Sequence, residues 1–363
     1  LCWRFQQQDN RDAGIAFAVW ENEQLRFVRR QAGSFAYGIP IKALRAPVIA
    51  YTKERFEKSP DLHVWEMTTP PTAPQTERRI SWINPQQEKY NWGTASLYRW
   101  RSIDGKPAQG ILYRPENFDS TKKYPVIFYF YETHTETLHN YIPPTPTGSR
   151  LNISFYVSRG YIVVSPDIIY TTGYPAKSCY NYVVSAATSL GIQVAQLVTM
   201  TTMFKAAWAG APVANMTSAY GGIRWESGIN RQFQYEVSQS RIGATLWQRR
   251  DLYIENSPLF HLPKVKTPLV IMANDADGAV PWYQGIELFT GLRRLGKQVW
   301  MLNYNGEAHN LRERKNQKDI SIRQQQYFDW LLKGEKPARW LSEGVPALNK
   351  GRDWGLDAAA TED

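Results

Sequence analysis

An α/β fold is what this sequence predicts: a mostly parallel sheet, doubly wound with helices on both faces. Three observations predict it. Short apolar runs bounded by turn residues recur along the chain, at 124–131 (YPVIFYFY), 160–167 (GYIVVSPD), 206–213 (AAWAGAPV), 268–272 (PLVIM) and 299–302 (VWML). Such runs read as strands buried on both faces. Helix-length segments alternate with them, which is the pattern of a parallel sheet. Finally, the turns after the last two strands carry Asp275, Asp277 and His309. Open α/β sheets bind their ligands beyond that edge.

The elements follow in order. Residues 1–88 read as a β segment, with strands at 15–20, 24–28, 47–52 and 61–66 separated by polar turns. These are too few for a closed β domain, and they fit one or two blades of a propeller or a small β cap. Residues 71–90, rich in Pro, Thr, Gln and Arg, read as a linker. Asp104-Gly105 between the runs 95–100 and 110–115 is a hairpin signal. Helices are expected at 152–159, 180–190 and 194–204, with a strand stub at 191–193. A polar, aromatic insertion runs from Ala214 to about Ser257. The helix after Pro281 presents Ile286, Leu288, Phe289, Leu292 and Leu295 on one face, and the last helix is expected at 324–332. Residues 89–350 are thus expected to form the α/β domain, and 351–363 a peripheral tail.

A net charge of +10 invites a nucleic-acid reading. The basic residues are scattered in pairs, among them Arg29-Arg30 and Arg293-Arg294, with no basic run and no zinc-finger spacing, so a solvated basic surface and no nucleic-acid partner are expected. Two cysteines, Cys2 and Cys179, cannot build a disulfide framework. No apolar run is long enough to span a bilayer. The start LCWR lacks a methionine, so the chain reads as a piece of a longer protein. The compartment stays undecided, with a periplasmic or secreted location compatible with that start. The run 132–139 (ETHTETLH) does not have H-E-x-x-H spacing and sits in a loop, so no metal is expected there.

An acid followed by a histidine, on consecutive strand ends, is the second half of a Ser…Asp…His arrangement. The order of elements, with YPVIFYFY, SRGY and SPD at 158–167, AGAPV at 209–213, NDADGAVP at 274–281 and GEAH at 306–309, resembles the catalytic α/β-hydrolase domain of the prolyl oligopeptidase (S9) family of serine peptidases, preceded by the end of its β-propeller. The resemblance covers nearly the whole chain. It implies a peptide substrate, no cofactor and an acyl-enzyme mechanism. By position in the family's D-x-x-V turn, the acid is Asp277 and the base His309; Asp275 is then a turn residue. The family's oxyanion tyrosine matches Tyr131. Glu132, in the loop that follows, and Tyr220, Arg224 and Trp225, in the insertion, are implied to line the substrate cleft. His63 and His261 have no partner motif and read as structural.

The nucleophile is missing. No G-x-S-x-G occurs in the 363 residues. The family places it after a strand matching 191–193, and here Gln193 runs straight into the segment that matches the helix beyond. Ser189-Leu190 also meets Gly191 without a connecting loop, where a few residues are normal. Two adjacent joins of this kind point to an omitted segment rather than a true deletion. Ser185, Ser189 and Ser218 read as ordinary helix or loop serines. Two other readings stand beside the peptidase: a catalytically dead relative used for binding or assembly, and an esterase on the same fold.

Overall fold

The computed structural model describes residues 1–66, 76–189, 199, 200 and 203–359. The chain divides into two compact units. One comprises Leu1–Arg99, Gln109–Pro144 and Asn152–Asp167; the other comprises Trp100–Ala108, Thr145–Leu151 and the chain from Ile168 onward.

In the first unit, β1 (Cys2–Gln6), β2 (Ala13–Glu21) and β3 (Gln24–Gly33) form an antiparallel sheet. Asn22 and Glu23 join β2 to β3 with positive φ of 49° and 59°, the two-residue turn whose twist matches that of the strands. β4 (Ala36–Tyr37), β5 (Ile41–Lys42), β6 (Val48–Arg55), β7 (Lys58–Glu66) and β8 (Thr76–Arg79) form a second antiparallel sheet. Inward residues of the two sheets, Ile15, Tyr37, Ile49, Tyr51 and Trp65, make one core.

A third sheet runs in the order β11-β12-β10-β9, from β9 (Thr94–Arg101), β10 (Pro107–Arg114), β11 (Val126–Phe128) and β12 (Ile162–Pro166). β11 and β12 are parallel. The helix between them, α1 (Ile153–Ser158), is capped by Asn152, whose side chain accepts from the Phe155 N–H at 3.1 Å. The expected strand at 124–131 is shorter than its apolar run. Tyr129 still donates to Val164 O at 2.9 Å, and beyond it the chain bends into a loop.

The second unit contains α2 (Pro175–Ser189), β13 (Ala207–Gly210), α3 (Met216–Tyr220), the β14–β15 hairpin (Ile223–Arg224, Ile229–Asn230), α4 (Gln232–Glu236), α5 (Arg250–Glu255), β16 (Leu269–Met272), α6 (Trp282–Arg294), β17 (Val299–Leu302), α7 (Arg314–Phe328) and α8 (Arg339–Ser342). The strand stub expected at 191–193 and most of the helix expected at 194–204 lie outside the described residues. β13, β16 and β17 form a parallel sheet in that order. β16 is buried along its length. On one face α6 packs Leu288 and Leu292 against Leu269, Ile271 and Ala273. Gly285 permits that approach, because a Cβ there would come within 2.3 Å of the Ala273 Cβ. On the other face Met272 packs with Leu311 and Ile320, and Trp208 meets Tyr327 of α7 edge to face. Helices therefore cover both faces, as the sequence predicts.

Three expectations are corrected. β13 is half-buried rather than buried and stops at Gly210, where Ala211 turns with φ of 46°. The helix expected at 324–332 is α7 and begins at Arg314, ten residues before the apolar signal. Leu295 lies past the end of α6 and is exposed. The chain from Lys333, which reads as peripheral in the sequence, is partly docked. Trp340 and Leu341 are buried, and Arg323 donates to Trp354 O at 2.9 Å.

Candidate active site

The turn after β16 and the turn after β17 are stitched together. Asn274, buried at the end of β16, donates to Ala308 O at 2.7 Å and accepts from Tyr304 N at 3.3 Å. Asp275 accepts from Gly306 N at 2.7 Å and from the Asn305 side chain at 2.6 Å. The Gly306 bond leads the effects that hold Asp275 below the usual carboxylate range. Gly306 has φ of 77°, which favours glycine. Asp275 is therefore more than a local turn residue: it brackets the loop that carries the histidine.

Between these brackets Asp277 meets His309. Asp277 Oδ2 lies 2.8 Å from His309 Nδ1. Its Oδ1 accepts from the N–H groups of Ala279 at 2.7 Å and Val280 at 2.8 Å. The Asp277 side chain is 2% exposed and that of His309 36%. The carboxylate is thus fixed while one edge of the ring faces outward. An acceptor-only carboxylate selects the tautomer with the proton on Nδ1, which leaves a lone pair on Nε2. Among the described residues nothing is bonded to Nε2. A fixed acid, an oriented imidazole and an open Nε2 are what a general base needs.

Glu307, two residues before His309, carries no signal of its role in the sequence. It is buried, and its carboxylate accepts from Arg312 N at 2.7 Å, Glu313 N at 3.0 Å and the Asn316 side chain at 2.6 Å. It satisfies the N–H groups of the two residues that lead into α7 and, through the Asn316 side chain, ties that helix to the His309 loop. Burial opposes its charge, and the Arg312, Asn316 and Glu313 bonds outweigh it, so its pKa is lowered. The stability it contributes is complete above its unfolded value near 4.5 and is lost as pH falls through its lower folded value. Glu307→Gln is expected to cost about 2 kcal/mol at neutral pH. Urea unfolding at a series of pH values checks this: the two proteins should converge in acid.

The other predicted residues are placed as follows. Tyr220 is buried, packed on Tyr235 and Tyr253, and bonded through its hydroxyl to Glu236. It belongs to the core of the insertion, which corrects its expected place in a cleft. Arg224 lines a shallow cavity of about 270 Å³ with Ile229, Phe233 and Gln234, and Trp225 is exposed. The next residue, Glu226, donates its N–H to Gly278 O at 3.1 Å, so the hairpin touches the acid's turn. Ser185 is bonded to Asn181 O and Trp100 Nε1, and Ser218 to Gln284. The joins at 190–194 lie outside the described residues.

In the first unit, Tyr131 is exposed on the loop after β11, and Glu132 follows it half-buried. The buried Asp167 anchors this loop, accepting from His134 N at 2.6 Å, Thr135 N at 3.0 Å and Gln109 Nε2 at 3.0 Å. The His134 ring stacks on Tyr129 and shares a 2.5 Å hydrogen bond with Ser165. His139 lies 3.6 Å from Asp12. His63 pairs with Glu77 at 3.1 Å, and His261 with Glu255 O at 3.1 Å. No helix of the described residues is long and apolar enough to cross a membrane.

Comparison with known proteins agrees with this architecture. A sequence profile of the Prolyl oligopeptidase family matches residues 189–335. Dipeptidyl-peptidase 5 of Aspergillus fumigatus is 24% identical over 270 residues, which are 61% of this chain and 33% of that protein. A probable dipeptidyl-peptidase 5 of Aspergillus terreus is 24% identical over 268 residues, again 61% and 33%. The chain thus spans about a third of the length of these curated relatives. Among solved structures, an acylaminoacyl peptidase of Pyrococcus horikoshii aligns with a TM-score of 0.64 at 17% identity, over 92% of this chain and 56% of that one. A puromycin-hydrolyzing peptidase of Mycobacterium tuberculosis aligns with a TM-score of 0.58 at 16% identity, over 92% and 54%. These likenesses show the fold, an α/β-hydrolase domain preceded by part of a β-propeller. Profile, relatives and fold point the same way: residues 189–335 match the prolyl oligopeptidase family, and the chain is similar to peptidases that carry this fold.

Proposed function

We propose that the protein is a serine-type peptidase that cleaves peptide bonds through an acyl-enzyme, with residues 89–350 as its catalytic domain and 1–88 as the end of a propeller. The single observation that carries this reading is the 2.8 Å contact between Asp277 and His309 on consecutive strand ends. His309 takes the proton of the attacking serine and returns it to the leaving amine. Asp277 holds the ring in one tautomer and stabilises its charged form. The serine belongs on a turn between Gln193 and Val194 that the sequence does not contain. Tyr131 is assigned as an oxyanion donor on the family resemblance. Tyr131→Phe should then lower kcat roughly 100-fold with little change in KM. Steady-state kinetics on dipeptidyl and N-acyl-aminoacyl chromogenic amides, chosen from the relatives' names, checks it.

The absence of G-x-S-x-G favours a second reading, a non-catalytic relative whose scaffold serves binding or assembly. The product of the full coding sequence, treated with a fluorophosphonate probe, separates the two. Labelling of one serine supports the peptidase; a folded protein that takes no label supports the scaffold. Turnover of esters without amides would mark an esterase on this fold.

A further inference from the structure

Arg231, between β15 and α4, is 1% exposed. A guanidinium keeps its charge at any ordinary pH, and burying one without an answering negative charge is costly. Among the described residues Arg231 makes no ion pair. One terminal nitrogen donates to Ala279 O, the other to the Tyr235 hydroxyl at 3.2 Å, and Nε has no partner. The guanidinium carbon lies 5.4 Å from the Tyr235 ring centre, and the Arg231 N–H donates to Gly222 O at 3.1 Å. The residue is therefore held from behind and directed at one carbonyl of the acid's turn.

That carbonyl belongs to the Ala279–Val280 peptide, whose N–H donates to Asp277 Oδ1 at 2.8 Å. A cation sits at the oxygen end of this peptide and an anion at the N–H end. Both polarise the group in the same direction, so each strengthens the other's hydrogen bond. Asp277 has the mirror-image requirement: it is a buried carboxylate whose only ionisable partner among the described residues is His309. We propose that Arg231 is a positioning residue that holds Asp277 against His309 by polarising the peptide bond between them. It touches no reacting atom.

This inference rests on Asp277 and His309 acting as an acid–base pair, and its test reads that pair without requiring turnover. A proton held in the His309 Nδ1–carboxylate bond exchanges slowly with water and resonates far downfield in proton NMR. Its loss in His309→Ala assigns it. In the native chain the signal should be present; its absence would overturn the pairing itself. Arg231→Lys should retain it. Arg231→Met, which keeps length and apolar bulk, should lose it while still unfolding cooperatively. Arg231→Gln carries an amide donor on a shorter, uncharged side chain, so it decides the matter where Arg231→Met does not fold, and it too should lose the signal. A folded Met or Gln variant with the native signal overturns the proposal, as does a folded Lys variant without it.

Discussion

His309→Ala, made in the product of the full coding sequence, is expected to lower kcat on a peptide amide about 10,000-fold while leaving the fold intact. The imidazole is 36% exposed at the side chain, so its removal leaves no large void. On the proposed mechanism, what is lost is the group that takes the serine's proton. Asp277→Asn should act by a different route. The carboxylate accepts three hydrogen bonds, two from backbone and one from the ring. An amide in its place presents a donor to one of these partners. That either reverses the His309 tautomer or leaves a buried N–H unpaired, at about 1–3 kcal/mol. Activity and melting temperature measured together on both variants separate the routes. An alanine variant that keeps native turnover would remove His309 from the reaction.

The second large effect is on stability. Leu292→Ala should destabilise the protein by about 3–4 kcal/mol. Leu292 is 0% exposed and packs in the layer between α6 and β16. Leu295→Ala, three residues on, should change stability by less than about 0.5 kcal/mol, because Leu295 is 44% exposed beyond the helix end. The two substitutions are chemically identical, so denaturant unfolding of the pair tests the packing directly. α6 joins the Asp277 turn to β17, and loss of its seat should also reduce activity.

The parallel strands were legible because they are apolar runs cut off by turns, as at 162–166 and 269–272. The Asp277–His309 contact was legible because register carries it: two side chains just past neighbouring parallel strands must fall on one edge. α7 was not legible. Its described buried positions are Ile320, Arg323, Tyr327 and Phe328, so its first two turns show no apolar stripe. Those turns depend on a cap from Glu307, seven residues before the helix starts. Arg231 was hidden for a similar reason, since its partner is a backbone carbonyl 48 residues away. Tyr220 misled because an aromatic in an insertion suits a cleft as well as a small core, and only burial separates the two.

The docked C-terminal segment gives the site a remote dependency. Gln326 donates to Leu356 O at 2.6 Å and accepts from the Trp340 indole at 2.9 Å, and Arg323 reaches Trp354 O. These bonds pin the far end of the helix whose near end Glu307 caps. A protease that clips the chain after Gly334 would cut no residue of the Asp277–His309 pair, yet it would loosen the rod on which the imidazole's loop is hung.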